Sequence, residues 1–449
     1  MNPYLIVIKL PKELQYIVES YEPGILFFTL KRRRLREYDW FRLIQMNYSL
    51  VLPRGLATNK EIMDLYLDRA MIKRSQIVCC GDRSYIKLGD GQLSCCGDHF
   101  VGEFGRFTGA KGLDKNIVEV SCGNDHTIIR LSDGRLMGCG RNNFGELGNL
   151  PHSNYKFLEL EGIPKNVAEV ICYFRSTMIR LADGTLLEGG DIDGVKVVKN
   201  FRVIENIPKN IAEVSWGSFD IIIRFTDGSL MGKGDNDSGE LGMGDNKQRM
   251  FFEKIVIPKN VDKVSCGDGK IIIRLVDGTL MGCGFNKNGE LGLGDNRNRS
   301  LFEKIPGIPK GVAEIIFGSV YTIIRFIDGT AMSSGYNGFG ELGLGDCVNR
   351  NVFTKIEVKG IVAEIAACYR FTILRLKDGS IFDTRDKKNR AKFLKVGGVK
   401  KIVGEIKSGW AHVIVRLTDG TFMSSGRNNN GQLGIGLPGD RTEFCKILI

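Results

Sequence analysis

Side chains that do chemistry are scarce in this chain. Only four histidines, His99, His126, His152 and His412, occur in 449 residues. No His-Glu-x-x-His, Walker loop, Rossmann fingerprint or Ser/His/Asp set stands in a suitable context. Enzymatic activity has no constellation to carry it, and no cofactor is expected. Twelve cysteines are present, among them the pairs Cys79-Cys80 and Cys95-Cys96, but no Cys-x-x-Cys spacing and no histidine-rich tract accompany them. No metal is expected, and half-buried free thiols in a reducing compartment are the better reading.

Long apolar runs are missing as well. The apolar start from Tyr4 to Ile8 has no basic region before it and falls far short of the ~18 residues that a bilayer span needs. This predicts a cytoplasmic or nuclear protein with no membrane partner. Proline is sparse, at 11 residues, so rigid linkers are few.

Glycine is abundant instead: its 57 residues are about twice the usual share, which implies many tight turns. With 43% hydrophobic and 26% charged residues the composition is that of a folded globular protein. The length exceeds what one hydrophobic core usually serves, so several domains or a repeat array is expected. The net charge of +11 is modest for this length. It admits nucleic acid as a weak, non-specific partner.

Residues 1–75 differ from the rest and hold 13 basic and 8 acidic residues. Pro11 at a first helical position, followed by Leu14, Ile17, Val18 and Tyr21 on one stripe, predicts a helix that Pro23-Gly24 stops. Thr58-Asn-Lys-Glu61 is a capping-box pattern for a second. Lys31, Arg32, Arg33 and Arg34 form a basic run, either a solvated helix face or an anion-binding or nuclear-localisation patch.

From residue 76 onward the chain repeats. Asp-Gly pairs after an apolar strand fall at Asp90, Asp133, Asp183, Asp227, Asp277, Asp328, Asp378 and Asp419, at intervals of 41 to 51 residues. Each copy reads as two hairpin turns in series, for example a strand Val118 to Cys122, a turn, a strand Thr127 to Ser132, the Asp-Gly turn, and Arg135 to Cys139. Three or four short antiparallel strands per ~50 residues describe a propeller blade.

Charge supports the register independently. An acid precedes an arginine by eleven residues in six copies: Glu119 and Arg130, Glu169 and Arg180, Glu213 and Arg224, Glu314 and Arg325, Glu364 and Arg375, Glu405 and Arg416. With the turn centred between Asn124 and Asp125, Glu119 lies across from Arg130. The first and fifth copies break the rule, with Gln76 against Lys87 and Lys263 against Arg274. The seven arginines admit an anion-binding ring as an alternative, although glutamates face most of them.

Two resemblances follow. Ser-Cys-Gly-x-x-His-Thr, Leu-x-Asp-Gly and Gly-x-Asn-x-x-Gly-Glu/Gln-Leu-Gly, the last at Gly140 to Gly148, Gly234 to Gly242, Gly284 to Gly292, Gly335 to Gly343 and Gly426 to Gly434, resemble the regulator of chromosome condensation repeat family. That resemblance implies a circular β-propeller, normally of seven blades, that binds proteins or chromatin or promotes nucleotide exchange on a small GTPase. Eight copies favour an all-β ring of eight four-stranded blades over seven. The third and seventh copies lack the glycine loop, and Glu443 to Ile449 is expected to complete the blade begun near Gln76 and so close the ring.

Leu10, Pro11 and Leu14, with the later Trp40-Phe41-Arg42-Leu43-Ile44, resemble an F-box. This implies a substrate adaptor that docks a ubiquitin-ligase core subunit. The alternative is a small helical cap on the main domain. Leu10, Pro11, Leu14 and Lys31 to Arg34 are thus candidate partner-binding residues, and the leading expectation is a non-enzymatic scaffold that holds a protein partner on a propeller face or rim.

Overall fold

A computed structural model describes residues 77–88, 91–98, 105–110, 112–113, 116–191, 197–217, 219–257, 260–385, 392–399 and 402–449, together with Asp39. The expected N-terminal helices and the candidates Leu10, Pro11, Leu14 and Lys31 to Arg34 lie outside these residues.

Among the described residues there is no helix, and the strands form eight sheets of four. In blade 2 the strands, named a to d, are Ile117–Cys122, His126–Leu131, Leu136–Arg141 and Ser153–Glu159. Each is antiparallel to the next. The other blades repeat this order over residues 77–109, 167–203, 211–255, 261–304, 312–355, 362–395 and 403–446. Strand a of each blade touches strand a of a neighbour and lines the central channel, whereas strand d is mostly exposed on the outer rim.

The Asp-Gly pair makes the b–c turn for a local reason. Asp133 Oδ1 accepts the backbone N–H of Arg135 at 3.0 Å, and Gly134 takes a φ of 86° that a side chain would resist. The same bond recurs at Asp183, Asp227, Asp277, Asp328, Asp378 and Asp419. Strand b is apolar on both faces because blades stack face to face. Ile222 and Leu241 of blade 4 pack in one core with Val261, Ile271 and Ile273 of blade 5. Each of these fully buried aliphatic side chains is worth about 1.5–3 kcal/mol.

The glycine loop after strand c folds around its asparagine. Asn142 Oδ1 accepts the N–H of Leu147 at 2.7 Å and its Nδ2 donates to Gly148 O at 3.0 Å, while Glu146 Oε2 accepts the N–H of Phe144 at 2.9 Å. Asn236, Asn286, Asn337 and Asn428 hold their loops the same way. The repeated loops are therefore architecture rather than phosphate cradles.

The expected ring closure needs correction. The C-terminal strand Arg441–Lys446 is strand d of blade 8, with Met423 opposite Lys446, and it does not pair with blade 1. Blade 1 supplies its own short strand d, Thr108–Gly109. The residues resembling Glu443 to Ile449 elsewhere are likewise the last strand of their own blade, because strand c leaves an open edge that the returning chain fills. Blades 8 and 1 close by side-chain packing of Ile414, Phe422 and Ile447 against Ile77, Ile86 and Phe107, and by a bridge between Ile435 and Arg106. Similar bridges join Met243 to Leu301 and Leu293 to Val352 in successive blades.

Candidate partner-binding face

The a–b turns and the c–d loops gather at one end of the channel, and the b–c turns at the other. The six acid–arginine pairs stand near the b–c end. Glu119 faces Arg130 in the ladder at 2.9 Å, and the pairs at Arg180, Arg224, Arg325, Arg375 and Arg416 have the same register, at 3.0 to 3.2 Å. In blade 5, Arg274 pairs with Asp262 at 2.6 Å, and Lys263 turns to Glu213 of the preceding blade. Every one of the seven arginines has a carboxylate, so the alternative of an open anion-binding ring has no support in this geometry. Gln76 lies outside the described residues, and its expected partner Lys87 donates to Ile117 O of blade 2 at 2.6 Å.

These pairs also tie blade to blade, a role their spacing did not show. Glu364 accepts from Lys407 at 2.9 Å and from the N–H of Ile406 at 3.1 Å, both in the next blade. Burial pushes its carboxyl up, but Lys407 and Arg375 outweigh that and hold it below the usual carboxylate range. Glu314, Glu364 and Glu405, their arginines and Lys407 line a cavity of about 230 Å³.

At the opposite end, the first residue of strand b is buried, and in several blades it latches onto the next one. His126 Nε2 meets Thr177 Oγ1 at 2.9 Å, Tyr321 donates to Cys368 O at 2.9 Å, and Lys270 Nζ donates to Ser319 O at 2.9 Å. His412 Nε2 meets Ser84 Oγ at 2.8 Å across the ring closure. The turn histidines therefore each bond a neighbouring blade's hydroxyl. Burial lowers His126 to about 3 and His412 to about 4, so both are neutral. His99 lies outside the described residues and His152 is exposed. Among the described residues no group of three or more His, Cys, Asp or Glu is placed to hold a metal ion, and no helix is long and apolar enough to cross a membrane.

Around these latches the same face carries exposed aromatic rings and arginines. Arg175 of blade 3 lies over the rings of Phe144 at 4.6 Å and Phe174 at 5.2 Å, and Phe174 meets Phe219 edge-on at 4.8 Å. Arg370 of blade 7 lies over Phe339 at 4.7 Å and Tyr369 at 5.2 Å, and Tyr369 meets Trp410 at 5.2 Å. Phe219 is 55% exposed and Trp410 48%. The channel mouth between them is a cavity of about 700 Å³, whose lining includes Asp82, Asp98, Asp125 and Asp268.

Sequence reasoning did not single these residues out, although it marked the third and seventh copies as degenerate. A signal was present: Phe144 and Phe339 alone among the five loops place an aromatic before Gly-Glu-Leu, and the turns that follow read Cys172-Tyr-Phe-Arg175 and Cys368-Tyr-Arg370.

The model of the regulator of chromosome condensation (RCC1) repeat matches residues 117–146. No curated protein matches the chain. Yeast RCC1 (Prp20), solved bound to Kap60, is similar at a TM-score of 0.57 and 15% identity, covering 84% of this chain and 88% of that one. A second structure of Prp20p from Saccharomyces cerevisiae, whose description concerns binding to Gsp1p and histones, gives 0.57 and 14%, covering 81% and 87%. Human WBSCR16 gives 0.55 and 16%, covering 77% and 84%. At these identities the likeness is one of fold. With the matched repeat and eight copies of its blade in one ring, the chain is an RCC1-like β-propeller.

Proposed function

We propose that the chain is a non-enzymatic scaffold that binds a protein partner on the face formed by the a–b turns and c–d loops. The observation that carries this reading is the exposed set Phe219, Tyr369, Trp410, Arg175 and Arg370 on that one face. Tyr, Trp and Arg dominate the energetics of protein interfaces, the aromatics because they bury much area at little rotamer cost and Arg because its planar fork supplies several donors. Monomeric surfaces seldom gather them without a partner. The b–c end, by contrast, has its arginines already paired with carboxylates. The descriptions of the yeast neighbours, one bound to Kap60 and one concerned with Gsp1p and histones, support protein binding in general terms.

Native affinity purification of the full chain tests this. A stoichiometric protein partner is expected with the unaltered chain and with Arg135→Gln on the other end, and is expected to be lost with Phe219→Asp plus Trp410→Asp. Retention of the same partner by that double variant would sink the reading.

A further inference from the structure

We propose that blades 3 and 7 carry two copies of one acid-recognition site, set to engage a protein partner at two acidic anchors on opposite sides of the propeller axis. The inference rests on the reading that this face binds a protein, and it specifies the chemistry of that partner.

The two sites share one plan, and differ in that Arg427 lies over Trp410 at 5.7 Å while no cation among the described residues lies over Phe219. In each, a guanidinium from an a–b turn is sandwiched between the phenylalanine of the preceding blade's loop and the aromatic residue just before it in its own turn. The distances are 4.6 and 5.2 Å at Arg175 and 4.7 and 5.2 Å at Arg370. In each, a further exposed ring from the following blade meets that aromatic residue, Phe219 edge-on and Trp410 at a tilt. Blades 3 and 7 stand four places apart in a ring of eight, so a half-turn about the channel carries one site onto the other.

Both arginines are exposed, and neither lies within salt-bridge distance of a carboxylate among the described residues. The nearby carboxyls Glu146 and Glu341 feel their charge, but each already accepts a loop N–H at 2.9 Å. Stacking leaves the N–H edge of a guanidinium open and fixes its plane. That geometry suits a carboxylate, which it can hold by two parallel hydrogen bonds with little further loss of freedom.

The mouth holds Asp82, Asp98, Asp125 and Asp268 beside the buried Arg83, and Asp125 pairs with Arg141 at 3.7 Å, which leaves an excess of acid that disfavours one acidic chain running straight across the axis. Two separate anchors, one to each side, avoid that repulsion. The occupant that fits is a protein presenting two acidic segments, such as a twofold-symmetric dimer.

Fluorescence anisotropy with the full chain provides the test. The probes are a ten-residue Asp/Glu-rich peptide, and two copies of it joined by a Gly/Ser linker long enough to span the face. The joined peptide is expected to bind about 10-fold or more tighter than the single one, through effective concentration. Arg175→Gln or Arg370→Gln should each reduce the joined peptide to single-peptide affinity, and the double variant should bind neither. Unchanged melting temperatures would show that the variants fold, and R175K and R370K, which keep charge but lose the planar fork, should fall between.

Equal affinity for joined and single peptides, or binding indifferent to both arginines, overturns the two-site inference. Failure of both peptides to bind overturns acid recognition, while partner loss in the Phe219/Trp410 variant would still uphold the broader reading. Duplex DNA binding that depends on Arg175 and Arg370, without peptide binding, also overturns it in favour of nucleic acid.

Discussion

Ser84 in the first blade and His412 in the last meet at 2.8 Å, 328 residues apart in the chain, where the two ends of the ring come together. Ser84 also donates to Gln432 O at 2.9 Å, and the Gln432 side chain reaches Asp82 at 2.9 Å. The propeller is thus closed by a buried polar cluster and apolar packing rather than by a shared strand.

Replacing His412 by leucine leaves the buried Ser84 hydroxyl without one partner and is expected to cost about 1–3 kcal/mol. Urea unfolding checks this. His412→Gln, which can still bond Ser84, should recover much of the loss.

Acid should destabilise the ring through His126 and His412. Both folded values, about 3 and about 4, lie below that of a free histidine, so the unfolded chain binds more protons at acidic pH. The stability they contribute is complete above pH ~6.5 and is lost as pH falls toward 4 and then 3, at about 1.4 kcal/mol per unit for each group. Melts across pH 4 to 7 should show this slope, and His126→Gln with His412→Gln should flatten it.

Glu364 accepts from Arg375 in its own blade and Lys407 in the next. Glu364→Gln leaves two half-buried cations with one neutral acceptor and is expected to cost about 1–3 kcal/mol, below the range for a fully buried pair because solvent reaches the site. Denaturant titration reads the loss. An Ala substitution at exposed Glu357, whose pair with Lys355 is open to solvent, should change little.

Gly140 has a φ of 109°, and a Cβ there would sit 2.2 Å from Asp125 O. Gly140→Ala is expected to destabilise by more than about 1 kcal/mol, since the backbone must move to relieve the clash. Hydrogen exchange should show loosened protection at the start of strand b in blade 2, where His126 lies opposite Gly140.

Because Arg441–Lys446 belongs to blade 8, Phe444→Ala should be felt there. Phe444 packs with Val413, Val415 and Leu417, and its truncation is expected to cost about 3–5 kcal/mol. Hydrogen exchange should rise in Phe422–Gly426, the strand beside it, and not in Ile77–Cys80. The reverse pattern would support closure through the first blade.

Much of the fold was legible because it is local. An Asp-Gly turn and an acid eleven residues before an arginine set a hairpin within one short segment, so Glu119 opposite Arg130 could be placed from spacing alone. The count of eight came from the same turns. The candidates at Leu10, Pro11, Leu14 and Lys31 to Arg34 stand outside the described residues, and the clusters around Arg175 and Arg370 are hidden in the sequence because each is split between copies.

The sequence by itself determined the blade, since hairpin turns, alternation and register depend on neighbours a few residues away. Only the tertiary structure decided which copies touch. Phe144 meets Arg175, Glu364 meets Lys407 and Ser84 meets His412 across blade boundaries, through face-to-face packing that no single repeat encodes. Blades 3 and 7 stand opposite one another because eight copies close into one ring.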